Sequence, residues 1–227
     1  MIDIIVVNLN RPIQTKRTLG ALLKANDNIR IILINNGSRE RLKFDNDKIT
    51  VINLKKNIGQ AKAVNIGLSK TTSEYVCFMH NDIVINDKDW LDKAINFLKE
   101  NKEAGLIDVY GWKMINGKAK RITSLKGHEK QRVLNPTSEF TEVFRTDEMA
   151  NVFKNDGLRA DERYKKTCCG VWIDILARGQ KLYVIKLRNG SHSRTSEKNK
   201  ADQKHNRRQI RLLKLKECGF YGLNKFK

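Results

Sequence analysis

Tyr75-Val76-Cys77-Phe78-Met79-His80-Asn81-Asp82-Ile83-Val84-Ile85 decides how the rest of the chain is read. Its apolar run continues to Met79, three polar residues interrupt it, and the apolar character then resumes. A β-branched and aromatic run without alternation predicts a central strand covered on both faces. The polar break falls at the strand's carboxyl end, where open α/β sheets bind their ligands. A carboxylate at Asp82, beside the imidazole of His80 and the amide of Asn81, can hold a hard divalent cation and leave positions for water or phosphate. Taken alone, Asp82 serves equally well as a turn cap, so the flanking sequence has to decide.

Upstream, Ile2 to Asn8 is a second β-branched run, and it ends in Asn8-Leu9-Asn10-Arg11-Pro12, so polar side chains again stand at a strand's exit. Leu19, Leu22 and Leu23 follow Thr15 at helical spacing. Ile29 to Ile34 makes another strand, ending in Asn35-Asn36-Gly37-Ser38. A short strand over Thr50 to Asn53 leads to Asn57-Ile58-Gly59, where glycine suits a tight turn, and Ala61, Val64, Asn65 and Leu68 then share a helix face. Beyond the central strand, Asn86 and Asp87 are candidate N-caps for a helix carrying Trp90, Leu91, Ala94, Ile95 and Leu98. The order βαββαβα is that of a nucleotide-binding sheet.

After Tyr110 the periodicity fades. Lys113 to Phe140, rich in Lys, Arg, Gly, Ser and Thr, reads as a long basic loop. Pattern returns with Phe140 to Arg145, Met149 to Lys154 and Asp156 to Tyr164, a helix over Val171 to Arg178, a strand over Lys181 to Leu187, and Gly190-Ser191-His192-Ser193. The expected layout is one α/β domain over 1–193, with 1–110 as its nucleotide half and 111–193 as its acceptor half, and a basic helical tail over 194–227.

The 227 residues carry a formal net charge of +20, which favours polyanionic partners or anionic membrane surfaces. No apolar run approaches the roughly 20 residues of a spanning helix, and Met1-Ile2-Asp3 does not open a secretory signal, so a cytosolic protein is expected. Cys77, Cys168, Cys169 and Cys218 lack C-x-x-C spacing, so reduced thiols and no zinc site are expected.

The opening strand with Asn10-Arg11, the Asn35-Asn36-Gly37-Ser38 segment, Asn57-x-Gly59 with Asn65-x-Gly67, and Phe78-x-x-Asn81-Asp82 occur in series. In that order and spacing they resemble the family 2 glycosyltransferases, whose fold is GT-A, from Ile4 to about His192. The resemblance implies a Rossmann-like sheet of mixed strands and a nucleoside-diphosphate sugar as donor. Asn8, Asn10, Arg11, Asn35, Asn57, Gly59, Lys62 and Asn81 would then serve donor binding. Where the family usually carries an acidic residue against the base or ribose, this chain has Asn35, which keeps a hydrogen bond but not a carboxylate. His80-Asn81-Asp82 falls where the family keeps its D-x-D-like motif, which makes Asp82 the implied ligand for Mn²⁺ or Mg²⁺, with His192 and His80 as further candidates. Such an ion neutralises charge growing on the departing β-phosphate.

Inverting members carry an acidic pair, another Asp and an Arg on the acceptor-side helix, and the register here is Val171-Trp172-Ile173-Asp174 to Arg178. The pair is lost. Asp174 remains as first candidate for the base that deprotonates the acceptor hydroxyl, with a structural i, i+4 partnership to Arg178 as the competing reading. Asp161 is the second candidate, and a different base or a retaining outcome stays open. For the acceptor, basic residues of the loop (Lys113, Lys120, Arg121) and the tail (Lys204, Arg207, Arg208, Arg211) suggest phosphate gripping. The reading advanced is a hydroxymethylated pyrimidine in double-stranded DNA, as in phage DNA modification, hence host cytoplasm for a phage-encoded protein. There the target base leaves the stack, with Trp112 and His128 beside it, although Trp112 reads better as core. Alternatives are an envelope or polysaccharide transferase resting on an anionic membrane, and a non-catalytic binding module.

Overall fold

The computed structural model describes residues 1–128, 131–163 and 170–193. Strand β1 (Ile2–Asn8) leads to helix α1 (Pro12–Ala25), then β2 (Ile29–Asn35), β3 (Ile49–Asn53) and α2 (Gln60–Leu68). β4 (Tyr75–His80) and β5 (Ile83–Ile85) flank the polar break, followed by α3 (Trp90–Glu100) and β6 (Ala104–Asp108). Then come β7 (Tyr110–Ile115), β8 (Lys118–Thr123), β9 (Phe140–Val143), β10 (Arg145–Thr146) and β11 (Ala150–Lys154). α4 (Val171–Ala177), β12 (Lys181–Ile185) and β13 (Gly190–His192) complete the described elements.

The main sheet has the order β3-β2-β1-β4-β11-β6-β12-β9. β1, β2, β3 and β4 run parallel, while β11 runs antiparallel between β4 and β6, so the sheet is mixed as expected. Alternation along the strands divides the core between two faces. Tyr75, Cys77 and Met79 of β4 pack with Leu19, Leu22, Trp90, Leu91 and Ala94, which belong to α1 and α3. Val76 and Phe78 pack on the other side with Ala61, Val64, Val171, Trp172 and Ile175, from α2 and α4. Because both faces are covered, β1 and β4 need apolar residues at every position, which is why their sequences do not alternate. Cys77 lies in this interior as a free thiol, and burial pushes its pKa up.

Between β1 and β4 the strand order reverses direction, which opens a crevice at the carboxyl ends of the parallel strands. Asn8, Asn35 and His80 end there in register, Asn8 opposite Asn35 and Val7 opposite His80.

Two local expectations need correction. Lys113–Phe140 is not one loop: β7 and β8 form a hairpin, and with β10 they make a separate three-stranded sheet. Its turn is Asn116-Gly117, both at positive φ (50° and 72°), the pair that a tight hairpin turn requires. Lysines at outward positions masked a strand whose turn was written plainly. The caps proposed at Asn86 and Asp87 are also displaced, since α3 begins at Trp90 after Asp89. The Asp87 carboxylate instead accepts from the backbone N–H groups of Arg188 (2.6 Å) and Asn189 (3.0 Å). The tail over 194–227, with its proposed helix, and Cys168, Cys169 and Cys218 lie outside the described residues. Among the described residues, no helix is long and apolar enough to cross a membrane.

At the far end of β1, Asp3 is fully buried and bound by the Arg30 guanidinium (2.7 and 3.0 Å) and the backbone N–H groups of Thr72 (2.7 Å) and Ser73 (3.0 Å). Burial pushes this carboxyl up, but the Arg30 hydrogen bonds, with those of Ser73 and Thr72, bring it below its usual value. A lowered folded-state pKa adds stability above the unfolded value, and that stability is lost as pH falls through the lowered one. Asp3→Asn should therefore destabilise the protein by about 3 kcal/mol near pH 7 in urea unfolding, with the difference from wild type shrinking below about pH 4. A gap unchanged down to pH 2.5 would remove the linkage.

Candidate functional site

The polar crevice is built from strand ends. Asn8, fully buried, is its hub. Its amide nitrogen donates to Asn35 Oδ1 (2.8 Å) and Ser38 Oγ (3.1 Å). Its Oδ1 accepts from the Arg11 backbone N–H (3.1 Å), Thr15 Oγ1 (2.9 Å) and Asn81 Nδ2 (3.1 Å). Asn35 donates onward to the Glu40 carbonyl and Asn53 Oδ1, both at 2.8 Å. Asn81 Nδ2 also reaches Thr15 Oγ1 at 2.9 Å. These amides were expected to meet the donor, but Asn8 and Asn35 spend their polar atoms on each other and on the loops. They shape the crevice instead of lining it, and Thr15 and Ser38, absent from the expected set, belong to the same network.

The loops themselves remain open. Asn10 is exposed, with its Oδ1 accepting the Arg39 backbone N–H at 2.9 Å. Gly37, at φ 72°, passes so close to Lys56 and Asn57 that a Cβ would collide with their backbone. Asn57 Oδ1 accepts from Gly59 N at 2.9 Å and from Asn36 Nδ2 at 3.1 Å, which fixes the turn into α2. Gly59, at φ 87°, takes a conformation that favours glycine. Lys62 is exposed on α2 with its ammonium 3.9 Å from Glu162, so the structure gives it no contact with the Asp82 cluster.

Asp82 follows β4 and is itself 8% exposed. Its Oδ2 meets Arg11 Nη1 at 3.2 Å and His192 Nε2 at 3.4 Å. Its Oδ1 is buried with no hydrogen-bond partner. His192 arrives through the β5–β13 ribbon, in which it faces Ile83, and Ser193 N donates to the Asp82 carbonyl at 2.9 Å. The two residues expected from distant parts of the sequence to meet are thus neighbours. Burial pushes the Asp82 carboxyl up, and the hydrogen bond from His192 with the nearby His80 and Arg11 outweighs it, leaving the group below its usual value. His80 differs: burial holds its pKa down against the pull of Asp82, and its Nε2 lies 3.3 Å from Gln60 Nε2. Among the described residues, no three His, Cys, Asp or Glu side chains converge on one point. Asp82 and His192 form an incomplete oxygen–nitrogen set, and the bare Oδ1 is the atom that a cation would satisfy.

The candidate bases are elsewhere. β11 runs away from the Asp82 edge, so Lys154 pairs with Tyr75 at the start of β4, and Asn155 N bonds the Glu74 carbonyl. Arg178 pairs there with Asp156 at 2.9 Å, not with Asp174. Ile175 packs on Gly105, at the start of β6, and Asp174 lines a shallow cavity of about 420 Å³ with Gly157, Leu158, Arg159 and Arg178. Asp174 therefore stands at the opposite edge of the sheet, on the order of 15 Å from Asp82 given about 3.3 Å per strand residue along β4. Asp161 is held by the backbone N–H (3.0 Å) and guanidinium (2.9 Å) of Arg163, and its charge raises the pKa of Asp174 after burial does. Among the described residues, neither carboxylate has a hydrogen bond or ion pair with Asp82, Arg11 or His192.

A further carboxylate, which the sequence reading did not single out, stands on the edge that bears Asp82. Asp147 follows β10, and its Oδ1 accepts from Trp112 Nε1 (3.1 Å) and pairs with Arg145 (3.2 Å). Its charge is felt by His80 and by Asp108, which burial raises to about 7 despite three backbone N–H donors. Trp112 is not an open stacking surface, because Arg121 and Arg145, its cross-strand partners, lie 4.7 and 5.7 Å from its ring centre. His128 is 1% exposed, so it is no wedge either. Lys120 is exposed and Lys113 faces it across the hairpin, whereas Lys204, Arg207, Arg208 and Arg211 lie outside the described residues.

The fold and crevice together define an α/β domain of the kind that binds a nucleotide at a sheet's switch point. Residues 3–156 match the model of "Glycosyl transferase family 2", and the chain belongs to that family. A Haemophilus influenzae protein described as an uncharacterized glycosyltransferase is 35% identical over 91 residues, which take in 37% of this chain and 36% of that protein. Among solved structures, S. aureus TarS 1-349 in complex with UDP-GlcNAc matches with a TM-score of 0.59 at 15% identity, over 86% of this chain and 59% of that one. The mannosyltransferase PcManGT from Pyrobaculum calidifontis, in complex with GDP-Man and Mn²⁺, matches with a TM-score of 0.64 at 12% identity, over 92% and 61%. This chain thus spans about three-fifths of each of those structures. The fold is GT-A-like, with a mixed central sheet.

Because Asn8 holds Arg11, Thr15, Asn35, Ser38 and Asn81 at once, Asn8→Ala should cost about 3 kcal/mol in urea unfolding, well above a typical single hydrogen bond. A loss under 1 kcal/mol would show that the network is dispensable.

Proposed function

We propose that this protein transfers a sugar from a nucleoside-diphosphate sugar to a hydroxyl acceptor in a reaction that depends on Mn²⁺ or Mg²⁺. The observation that carries the reading is the unpartnered, buried Oδ1 of an ionised Asp82 at the switch point, with Arg11 and His192 on its other oxygen. Asp82 and His192 would hold the cation, which when bound offsets charge on the departing diphosphate. Arg11, half-buried beside them, is placed to take a phosphate oxygen. Gly37, Asn57 and Gly59 keep the neighbouring backbone tight enough for a nucleotide to lie along it. UDP-GlcNAc and GDP-Man, the ligands named for the structural neighbours, are the donors to try first.

Asp147 is the base in this reading, in place of Asp174 and Asp161. It stands on the Asp82 edge, and Trp112 and Arg145 fix its carboxylate so that Oδ2 can accept the acceptor's proton. Asp82→Ala should abolish release of UDP or GDP from the sugar nucleotide in the presence of Mn²⁺. Asp147→Asn should lower kcat by about 100-fold, whereas Asp174→Asn should keep most of the wild-type rate. Full activity of Asp82→Ala would overturn the site, and a protein releasing no nucleoside diphosphate from any donor would be the binding module.

For the acceptor we infer a hydroxymethylated pyrimidine in duplex DNA, worked on in the cytoplasm, a host's if the protein is phage-encoded. The net charge of +20 supports it, together with Lys113 and Lys120 facing each other on the hairpin next to Asp147's strand. Binding to plain duplex DNA should weaken steeply with salt, and replacing both lysines by Glu should reduce the log–log slope by about 2. A flat salt response would remove DNA and favour an envelope glycan as acceptor.

A further inference from the structure

His128 has no part in the reaction outlined above, yet it is one of the most enclosed polar side chains near the crevice. It lies 1% exposed in the segment after β8, where Lys126 pairs with Ser191 and draws the segment alongside β13. Lys126 N bonds the Gly190 carbonyl and His192 N bonds the Lys126 carbonyl, both at 3.0 Å. Gly127, at φ 94°, leaves no room for a Cβ against the His192 carbonyl, so the two segments touch backbone to backbone. That contact puts His128 Nε2 at 3.0 Å from His192 Nδ1. On its other side, His128 Nδ1 lies 3.4 Å from Gln131 Oε1, to which the Tyr110 hydroxyl also donates at 3.3 Å.

The proton roles along this row follow from its far end. Gln131 Oε1 only accepts, so His128 Nδ1 carries the hydrogen and His128 Nε2 presents a lone pair. His192 Nδ1 is then the donor, and in the neutral ring His192 Nε2 presents its own lone pair to Asp82 Oδ2, whereas the hydrogen bond to Asp82 described above belongs to the ring protonated on both nitrogens. A neutral lone pair facing a carboxylate oxygen at 3.4 Å is unfavourable unless a cation stands near both. The row therefore selects the tautomer of His192 that ligates, and not the one that would donate to Asp82.

We propose that His128 is a positioning residue: it fixes the ring orientation and the Nδ1–H tautomer of His192, so that Nε2 is set as a ligand for a divalent cation shared with Asp82. The inference rests on the reading of Asp82 and His192 as a cation site and adds the outer partner that makes it specific. Outer partners of this kind commonly change metal affinity by about 10- to 100-fold.

The test uses the full chain, with Mn²⁺ alone and Mn²⁺ with pyrophosphate as probes, followed by electron paramagnetic resonance of free Mn²⁺. His128→Phe, which keeps a ring and removes the acceptor, should weaken Mn²⁺ by about 10- to 100-fold, and His128→Gln, whose amide oxygen can accept from His192, should recover most of it. His192→Ala with His128→Phe should bind no worse than His192→Ala alone. In the Mg²⁺-loaded wild type, ¹⁵N shifts of His192 should report hydrogen on Nδ1. If His128→Phe binds Mn²⁺ as wild type does, or if Phe and Gln variants lose affinity equally, His128 is only a packing residue and the proposal falls. If the wild type itself binds no Mn²⁺ with pyrophosphate, the failure lies in the cation site.

Discussion

An ionised carboxylate held almost out of water at the end of a central strand is the constraint around which this molecule is arranged. Burial works against the charge on Asp82, and three groups from different parts of the chain oppose it: Arg11 after β1, His80 at the end of β4, and His192 on β13. Each needs a separate structural device. Arg11 requires the Asn8 amide to hold its backbone N–H. His192 requires a two-stranded ribbon that is not part of the main sheet. Even so, one oxygen is left unbound. A fold that only had to be stable would gain by replacing Asp82 with an apolar residue, since unsatisfied buried polar atoms cost about 1–3 kcal/mol each. The arrangement makes physical sense when something cationic completes it.

The nucleotide half of the fold was legible because its physics is local. Strands buried on both faces cannot alternate, so β1, β2 and β4 stand out as continuous runs, and the amides at their ends mark where the sheet stops. The half after Tyr110 was less legible. β7 and β8 carry Trp112, Met114, Lys113 and Lys120 on a sheet with one wet face, and composition alone made them look like a loop. Asn116-Gly117 carried the hairpin signal, and weighting turn chemistry above charge would have found it.

Strand ends and motif order bring Asp82 and His192 together in the reading of the sequence, and they are neighbours in the fold although 110 positions separate them. For Asn8 and Asn35 the structure adds what no one-dimensional reading sees: amides at adjacent strand ends bond one another. For Asp174, helical register says which face a residue takes, but not which edge of the sheet the helix starts from. Only the antiparallel course of β11 settles that, by carrying Asp156 and its partner Arg178 to the amino-terminal edge.

Charge placement on the small sheet bears on the acceptor. Lys113 and Lys120 are directly opposed across β7 and β8, an arrangement that destabilises a strand pair by some tenths of a kcal/mol. One position along, Arg121 and Arg145 close on Trp112, and Asp147 neutralises only Arg145. Among the described residues, the lysine pair of the hairpin meets no acidic partner, where compensation would have helped folding. β10 joins this sheet directly to Asp147, so the lysine pair of the hairpin and the edge that bears Asp82 are linked through one short strand.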